Sequence, residues 1–202
     1  MAKPAFVYLA SQSPRRRQLL EQLGVAYEPL LPDASEDAEA LEVAHPGESP
    51  RHYVQRVTAL KLDAALVRMK RRGLPTAPVL CSDTTVAFGK VILGKPESAR
   101  HAQQMLAQLS GQTHRVFTSV AVGTPRRREQ ALSTSRVTFA QWTPQQIRRY
   151  VASGEPMGKA GAYAIQGVAS AYIADMRGSY SGIMGLPLFE TAQLLRAFGF
   201  EV

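Results

Sequence analysis

Short apolar runs alternate along the chain with longer stretches in which apolar residues recur every three or four positions, the pattern of strands interleaved with amphipathic helices. Phe6 to Ala10 reads as a first strand. Ser13-Pro14 then supplies a cap and a first-turn proline, Leu19, Leu20 and Leu23 form one stripe, and Gly24 stops it, which predicts a helix over residues 14 to 23. A second strand near Ala26 to Leu31 leads into an acidic loop, Asp33 to Glu42, and Ser49-Pro50 opens a long helix reaching Lys70. Val79 to Phe88 is extended, and Thr85 to Leu93 folds back around Gly89-Lys90 as a hairpin. Ala102, Met105, Leu106 and Leu109 predict a helix from Ser98, closed by Gly111. Two β-rich segments, Thr113 to Val122 and Leu132 to Ala140, flank a basic turn, and Thr143-Pro144 starts a helix to Ser153. A last helix carries Leu188, Ala192, Leu195 and Phe198 and is stopped by Gly199. The glycine-rich stretch between these two helices has no readable period. With no internal repeat or long linker, the alternation predicts a single α/β domain over residues 1–202, with room for two lobes.

Composition narrows the function classes. The 202 residues are 45% hydrophobic and 20% charged, as in an ordinary globular protein, and no apolar run approaches the ~18 residues of a membrane span. A soluble chain without a membrane partner is expected. The run Phe6 to Ala10 is too short for a secretory core, so a cytoplasmic location is the expectation. Cys81 is the one cysteine, which excludes an intrachain disulfide and reads as a small buried residue. The net charge of +8 favours polyanions, but the runs Lys70-Arg71-Arg72 and Arg126-Arg127-Arg128 fall at a helix end and a hairpin tip and read as solvated. No basic patch is interleaved with stacking aromatics, so nucleic acid is not expected as a partner. His45, His52, His101 and His114 lack metal-ligand spacing, which argues against zinc and reads them as surface or helix-face residues.

Four local anomalies carry candidate chemistry. Ser13-Pro14-Arg15-Arg16-Arg17 places three arginines at a helix amino terminus, where positive partial charge favours acidic neighbours. An anion held between backbone N–H groups and guanidinium forks would explain them; a solvated first turn is the competing reading. Lys61 interrupts the apolar face of Val57, Leu60 and Ala64, pointing toward a cleft or snorkelling to the surface. Ser82-Asp83-Thr84-Thr85 puts a carboxylate among hydroxyls where an apolar run becomes an extended arm, a place for a metal ligand or general base, or for a simple turn. Gly94-Lys95-Pro96 and Gly158-Lys159-Ala160-Gly161 set lysines beside glycines that admit a close ligand, though neither is a P-loop.

Taken together, Ala10-Ser11-x-Ser13-Pro14-Arg15-Arg16, Ser82-Asp83-Thr84, Gly94-Lys95-Pro96, Lys159-Ala160-Gly161-Ala162-Tyr163-x-Ile165-Gln166-Gly167 and Ser179-Tyr180-Ser181-x-x-x-Gly185-Leu186-Pro187 resemble, in order and over nearly the whole chain, the motifs of the Maf family of nucleotide pyrophosphatases. The resemblance implies a two-lobed α/β fold around a long mixed sheet with a nucleotide cleft, and often a homodimer. It implies Asp83 as the catalytic acidic residue, phosphate-facing Ser11, Arg15, Arg16, Lys61 and Lys95, and a divalent Mg²⁺ or Mn²⁺ on Asp83 and an acidic residue that falls most naturally on Glu36, in a loop that also holds Asp33 and Asp37. Arg15, Thr84 and Gln166 match the thymidine/uridine triphosphate branch. An amide at Gln166 offers the donor and acceptor needed to read the O4 and N3–H edge of uracil or thymine, and can flip to suit cytosine. The implied reaction takes dTTP or UTP to the monophosphate and pyrophosphate. A non-catalytic nucleotide-binding regulator of septum formation is the alternative.

Overall fold

The structure is a computed structural model that describes residues 4–34, 36, 37 and 40–202. Seven strands, β1 (Val7–Leu9), β2 (Tyr27–Pro29), β3 (Val79–Phe88), β4 (Val91–Leu93), β5 (Thr113–Gly123), β6 (Arg128–Phe139) and β7 (Ile173–Arg177), form one mixed sheet in the order β2-β1-β3-β5-β6-β7, with β4 paired to β3. The first three are parallel, joined through the helices α1 (Pro14–Gln22) and α2 (Pro50–Arg71); the rest pair antiparallel. The expected α/β architecture around a mixed sheet is therefore present.

Alternation sorts the two faces of the sheet. Leu62, Leu66 and Met69 of α2 cover Tyr8, Val79, Cys81 and Ala121, while Tyr53, Val54 and Val57 cover Ala87 and Phe117. The opposite face, with Leu80, Val86, Val116 and Val120, is covered by α1, by α3 (Ala99–Leu109), by α4 (Pro144–Ala152) and by α6 (Leu188–Ala197), through Leu20, Leu106, Ile147 and Leu195 among others. Burying a side chain of that size contributes about 1.5–3 kcal/mol, so these two layers hold β3 firmly in the middle. Helix starts follow the caps read from sequence: the Ser49 and Ser98 hydroxyls accept from the backbones of His52 and His101, and Thr143 forms a full capping box with Gln146.

The feature that makes a site is a gap beside β3. On one edge, β5 pairs with it continuously from Val79 to Ala87. On the other, β1 reaches only Val79 and Leu80, and β4 only Val86 to Phe88. Cys81 to Thr85 thus lack a strand on that edge. Ala10 N–H donates to the Leu80 carbonyl at 3.0 Å, so even-numbered residues of β3 direct their backbone groups to this edge, and those of Ser82 and Thr84 point into the gap.

Several expectations change. β6 begins at Arg128, four residues before Leu132, because the ladder to β5 continues through the polar residues Arg128 to Gln130, paired with Gly123 to Ala121. The two basic runs lie on the surface as read, and some of their arginines are also paired there: Arg71 and Arg72 reach Asp33 at 2.6 and 3.1 Å, Arg128 reaches Asp63 at 2.8 Å, and Arg127 lies over the Phe198 ring and donates to the Ala197 carbonyl. His114 is buried on β5 instead of lying on a surface. Leu60 faces outward at the edge of the α2 stripe. The glycine-rich stretch contains β7 and a short helix, α5 (Tyr180–Met184), capped by Ser179. No helix of the described residues is long and apolar enough to cross a membrane.

Candidate active site

The gap opens into a cleft of about 730 Å³, and Ser11, Arg15, Arg16, Glu36, Lys61, Asp83, Thr84, Lys95 and Gln166 all line it. Because side chains alternate along a strand, Asp83 leaves β3 toward α2 and Thr84 toward α1. The two walls of the cleft are consequently built from neighbouring residues.

On the α2 wall, Lys61 Nζ lies 2.6 Å from Asp83 Oδ1 and 2.7 Å from Glu42 Oε1. The other Glu42 oxygen is 3.4 Å from Lys95 Nζ, and the Tyr53 hydroxyl donates to the Glu42 carbonyl at 2.8 Å. Burial pushes the Glu42 carboxyl up, but the charge and hydrogen bond of Lys61 outweigh it and hold the group below the ordinary carboxylate range. Burial, with the charges of Asp83 and Glu42 adding to it, pushes the Tyr53 phenol up to about 12, which keeps it a neutral donor. Glu36 is placed differently: Arg68 Nε is 2.9 and 3.0 Å from its two oxygens, Arg68 Nη2 is at 2.6 Å and Arg71 at 2.8 Å. Glu36 thus lines the cleft from a guanidinium cradle, whereas Glu42 shares an ammonium with Asp83. Sequence reading did not single out Glu42, whose only signal was its place in the acidic loop.

On the α1 wall, the anomalous arginines find neutral acceptors. Arg15 Nε donates to the Met184 carbonyl at 3.2 Å and Arg16 Nε to the Gly185 carbonyl at 2.8 Å. These carbonyls close the end of α5, where unpaired backbone oxygens gather. Arg16 also reaches Ser11 Oγ at 3.3 Å and Thr84 Oγ1 at 3.4 Å, and Ser82 Oγ is shared between the Gly185 and Ser119 carbonyls. Burial lowers the pKa of both guanidinium groups, partly opposed at Arg16 by Asp83. Gly185 has φ +123°, a conformation that glycine adopts at little cost, and it turns this carbonyl toward the arginine.

The rim joins the two lysine–glycine segments: Gly161 N–H donates to the Gly94 carbonyl at 3.1 Å. A Cβ on Gly161 would stand 2.8 Å from Val86 Cγ1, so only glycine permits this approach to β3. Ala162, at φ +61°, is the one non-glycine residue with positive φ among those described. Tyr163 beside it meets His114 Nε2 at 2.8 Å, and burial pulls that imidazole down to about 4. Lys159 donates to the Glu155 carbonyl, and burial, followed by the charge of Arg15, lowers its pKa. Gln166 sits exposed on the rim, and among the described residues its amide has no hydrogen-bond partner.

The described residues include no group of three or more His, Cys, Asp or Glu side chains able to cage a metal. The carboxylates lining the cleft, Asp83, Glu36, Glu42 and Asp37, offer oxygen donors only, which suits a hard divalent cation held jointly with ligand phosphates. Cys81 is fully buried, and burial pushes its thiol up to about 12, so it takes no part in the chemistry.

A dTTP/UTP pyrophosphatase of Albidiferax ferrireducens is 68% identical over 197 residues, covering 98% of both chains, and that of Polaromonas sp. is 67% identical over the same length and coverage. One from Cupriavidus metallidurans is 66% identical over 195 residues, 96% of this chain and 98% of the relative. A solved dITP/XTP pyrophosphatase from Mycobacterium abscessus aligns at 16% identity with a TM-score of 0.43, over 67% of this chain and 74% of the other. The family model described as Maf-like protein matches residues 6–198, and the chain belongs to the Maf family.

Proposed function

We propose that this chain hydrolyses dTTP and UTP to the nucleoside monophosphate and pyrophosphate. One observation carries the reading: a single unpaired strand edge presents the Asp83 carboxylate on one side and the Arg15/Arg16 pair on the other, inside a cleft large enough for a nucleotide. The relatives' names supply the pyrimidine preference. Arg15 and Arg16 fork onto the phosphates, Lys61 and Lys95 exchange Glu42 for phosphate oxygens while Lys61 keeps Asp83, and the chain is aligned for in-line attack. Lys61 holds Asp83 by Oδ1, leaving Oδ2 to orient a water and take its proton as the water oxygen bonds to the α-phosphorus. The bond from the α-phosphorus to the bridging oxygen breaks, and pyrophosphate leaves. Gln166, unpaired at the rim, reads the base edge, and its flip leaves some CTP turnover open.

Mg²⁺ or Mn²⁺ would be held by Asp83 with Glu36, the family's expected pair, or with Glu42, and would neutralise phosphate charge when bound. Manganese affinity of Glu36→Gln and Glu42→Gln, read by electron paramagnetic resonance, separates the two. The reading as a whole is tested by pyrophosphate release from dTTP, UTP, CTP, GTP and 7-methyl-GTP, with either metal and with chelator. Metal-dependent turnover favouring dTTP and UTP supports it; no turnover of any substrate leaves a nucleotide-binding regulator instead.

A further inference from the structure

Gln166 opens a short exposed span of the rim. Tyr163, Ala164 and Ile165 before it are buried, and so is Ala169 beyond it, but Gln166 and Val168 face solvent. Burial therefore holds the backbone on the near side of Gln166 and gives no hold on the far side. Two turn bonds stiffen the span locally, from Gly167 N–H to the Ala164 carbonyl at 3.1 Å and from Ser170 N–H to the Gly167 carbonyl at 3.0 Å. Among the described residues, the hydrogen bond that ties it to another part of the chain runs from Val168 N–H to Glu155 Oε2 at 3.1 Å. The other oxygen of that carboxylate accepts from the Tyr150 hydroxyl of α4 at 2.9 Å, and the Tyr150 ring is buried against Trp142. Burial, with the hydrogen bond to Glu155 adding to it, raises the pKa of the Tyr150 phenol, which keeps it a donor. The main chain of Glu155 is fixed as well: its carbonyl accepts from Lys159, and its N–H donates to Ser153 Oγ at 3.2 Å. Gly167 makes room for the contact. A Cβ there would collide with both carboxylate oxygens, and its φ of −100° is open to any residue, so glycine is needed for the space alone.

We infer that Glu155 is a positioning residue for base selection: its carboxylate pins the chain just beyond Gln166 to the core through Tyr150, and so fixes where the Gln166 amide meets the pyrimidine edge. The inference rests on Gln166 reading the base of a nucleotide bound in the cleft. An amide without a partner of its own takes its place from its backbone, and the backbone beyond Gln166 takes its place from Glu155. Glu155 stands behind the rim and not among the residues that line the cleft, so it acts through Gln166 and not on the ligand. A carboxylate suits this task because each of its oxygens accepts, which satisfies the Tyr150 and Val168 donors together.

The test compares affinities for α,β-imido-UTP and α,β-imido-CTP, with pyrophosphate as a probe that carries no base. Gln166→Ala is expected to abolish the preference for imido-UTP. Glu155→Ala should lower that preference about threefold to tenfold, the scale of one hydrogen bond, and leave pyrophosphate affinity unchanged. Glu155→Gln should restore it, because the amide oxygen still accepts from Val168 N–H and the amide nitrogen can donate to the Tyr150 oxygen. Gly167→Ala, which drives the carboxylate away with Glu155 in place, should produce the same loss, and nothing further in a Glu155→Ala background. A wild-type preference in Glu155→Ala beside a collapsed one in Gln166→Ala overturns the clamp. So does an equal loss of pyrophosphate affinity, failure of glutamine to rescue, or additive losses in the double variant. If Glu155→Ala does not fold, Tyr150→Phe takes its place, since it keeps the ring packing and removes the hydroxyl; an unchanged preference there counts against the clamp in the same way. The clamp is also read without nucleotide, from amide hydrogen exchange at Val168: protected in wild type and Glu155→Gln, faster in Glu155→Ala, with equal rates in all three overturning it. An unchanged preference in Gln166→Ala is the distinct result that sinks the base-reading role of Gln166, and the inference with it.

Discussion

On the α2 wall of the cleft the cations are balanced by carboxylates, Lys61 by Asp83 and Glu42 and Lys95 by Glu42, whereas on the α1 wall Arg15 and Arg16 are held by the backbone carbonyls of Met184 and Gly185. The difference decides what each wall can offer an incoming anion. A guanidinium fixed by neutral dipoles has no carboxylate to give up and keeps a fixed direction, so on the proposed reading the arginines are prepared for phosphate before it arrives. An ammonium already paired must exchange a partner, and the exchange releases Glu42, which Lys61 and Lys95 share. On the proposed reading the α1 wall is a standing anion site, and the α2 wall one where phosphate binding and carboxylate release are coupled.

The contrast can be broken most severely at Asp83. Asp83→Asn keeps the side-chain shape but removes the base, and turnover of dTTP and UTP should fall by a factor of ~10²–10⁴ with an unchanged circular dichroism spectrum. Near-normal turnover in the folded variant would place the base elsewhere. Next in size, Arg16→Gln should lower kcat/KM by ~10–100-fold, the cost of a lost charged hydrogen-bond donor, and Arg16→Lys should recover only part of it because an ammonium cannot reach Ser11, Thr84 and Gly185 together. Full recovery by lysine would mean that charge alone matters there. Gly185→Ala tests the carbonyl hold itself. At φ +123° it should cost roughly 1–2 kcal/mol and several degrees in Tm, with KM for UTP up by about fivefold as the Arg16 anchor shifts. A falling Tm with unmoved KM would separate the anchor from binding. The smallest effect, and the one of opposite sign, is expected at Glu42→Gln. Freed from their carboxylate, Lys61 and Lys95 should bind imido-UTP about threefold more tightly in the presence of chelator, since partly exposed pairs contribute ~1 kcal/mol or less. Weaker binding under that condition would show that Glu42 assists the ligand instead of competing with it.

Much of this was legible in the chain because its signals were local. Caps at Ser49, Ser98 and Thr143 and the apolar stripes of α2 and α3 marked those helices, and Gly89-Lys90 marked the β3–β4 hairpin, since each depends on residues within one turn of another. The anomaly of Arg15 and Arg16 was visible too, but its resolution was not, because their acceptors lie 169 residues away along the chain. The same holds for Glu42, which nothing nearby distinguishes from the rest of an acidic loop. His114 was misread for a related reason: a buried imidazole is allowed by Tyr163, a partner 49 residues on. β7 and α5 escaped because their glycines and short lengths leave no period to find.

The interrupted edge of β3 has one more consequence, which concerns parity. Asp83 and Thr84 are separated by a single peptide unit, and only the pleat assigns one to each wall. A substitution in this segment alters one wall, whereas inserting or deleting one residue there would exchange odd for even and send the carboxylate to the arginines and the hydroxyl to the lysines. Loops around the cleft can change length without that penalty. Cys81 to Thr85 can change in identity, but its length is locked to the chemistry on both sides of it.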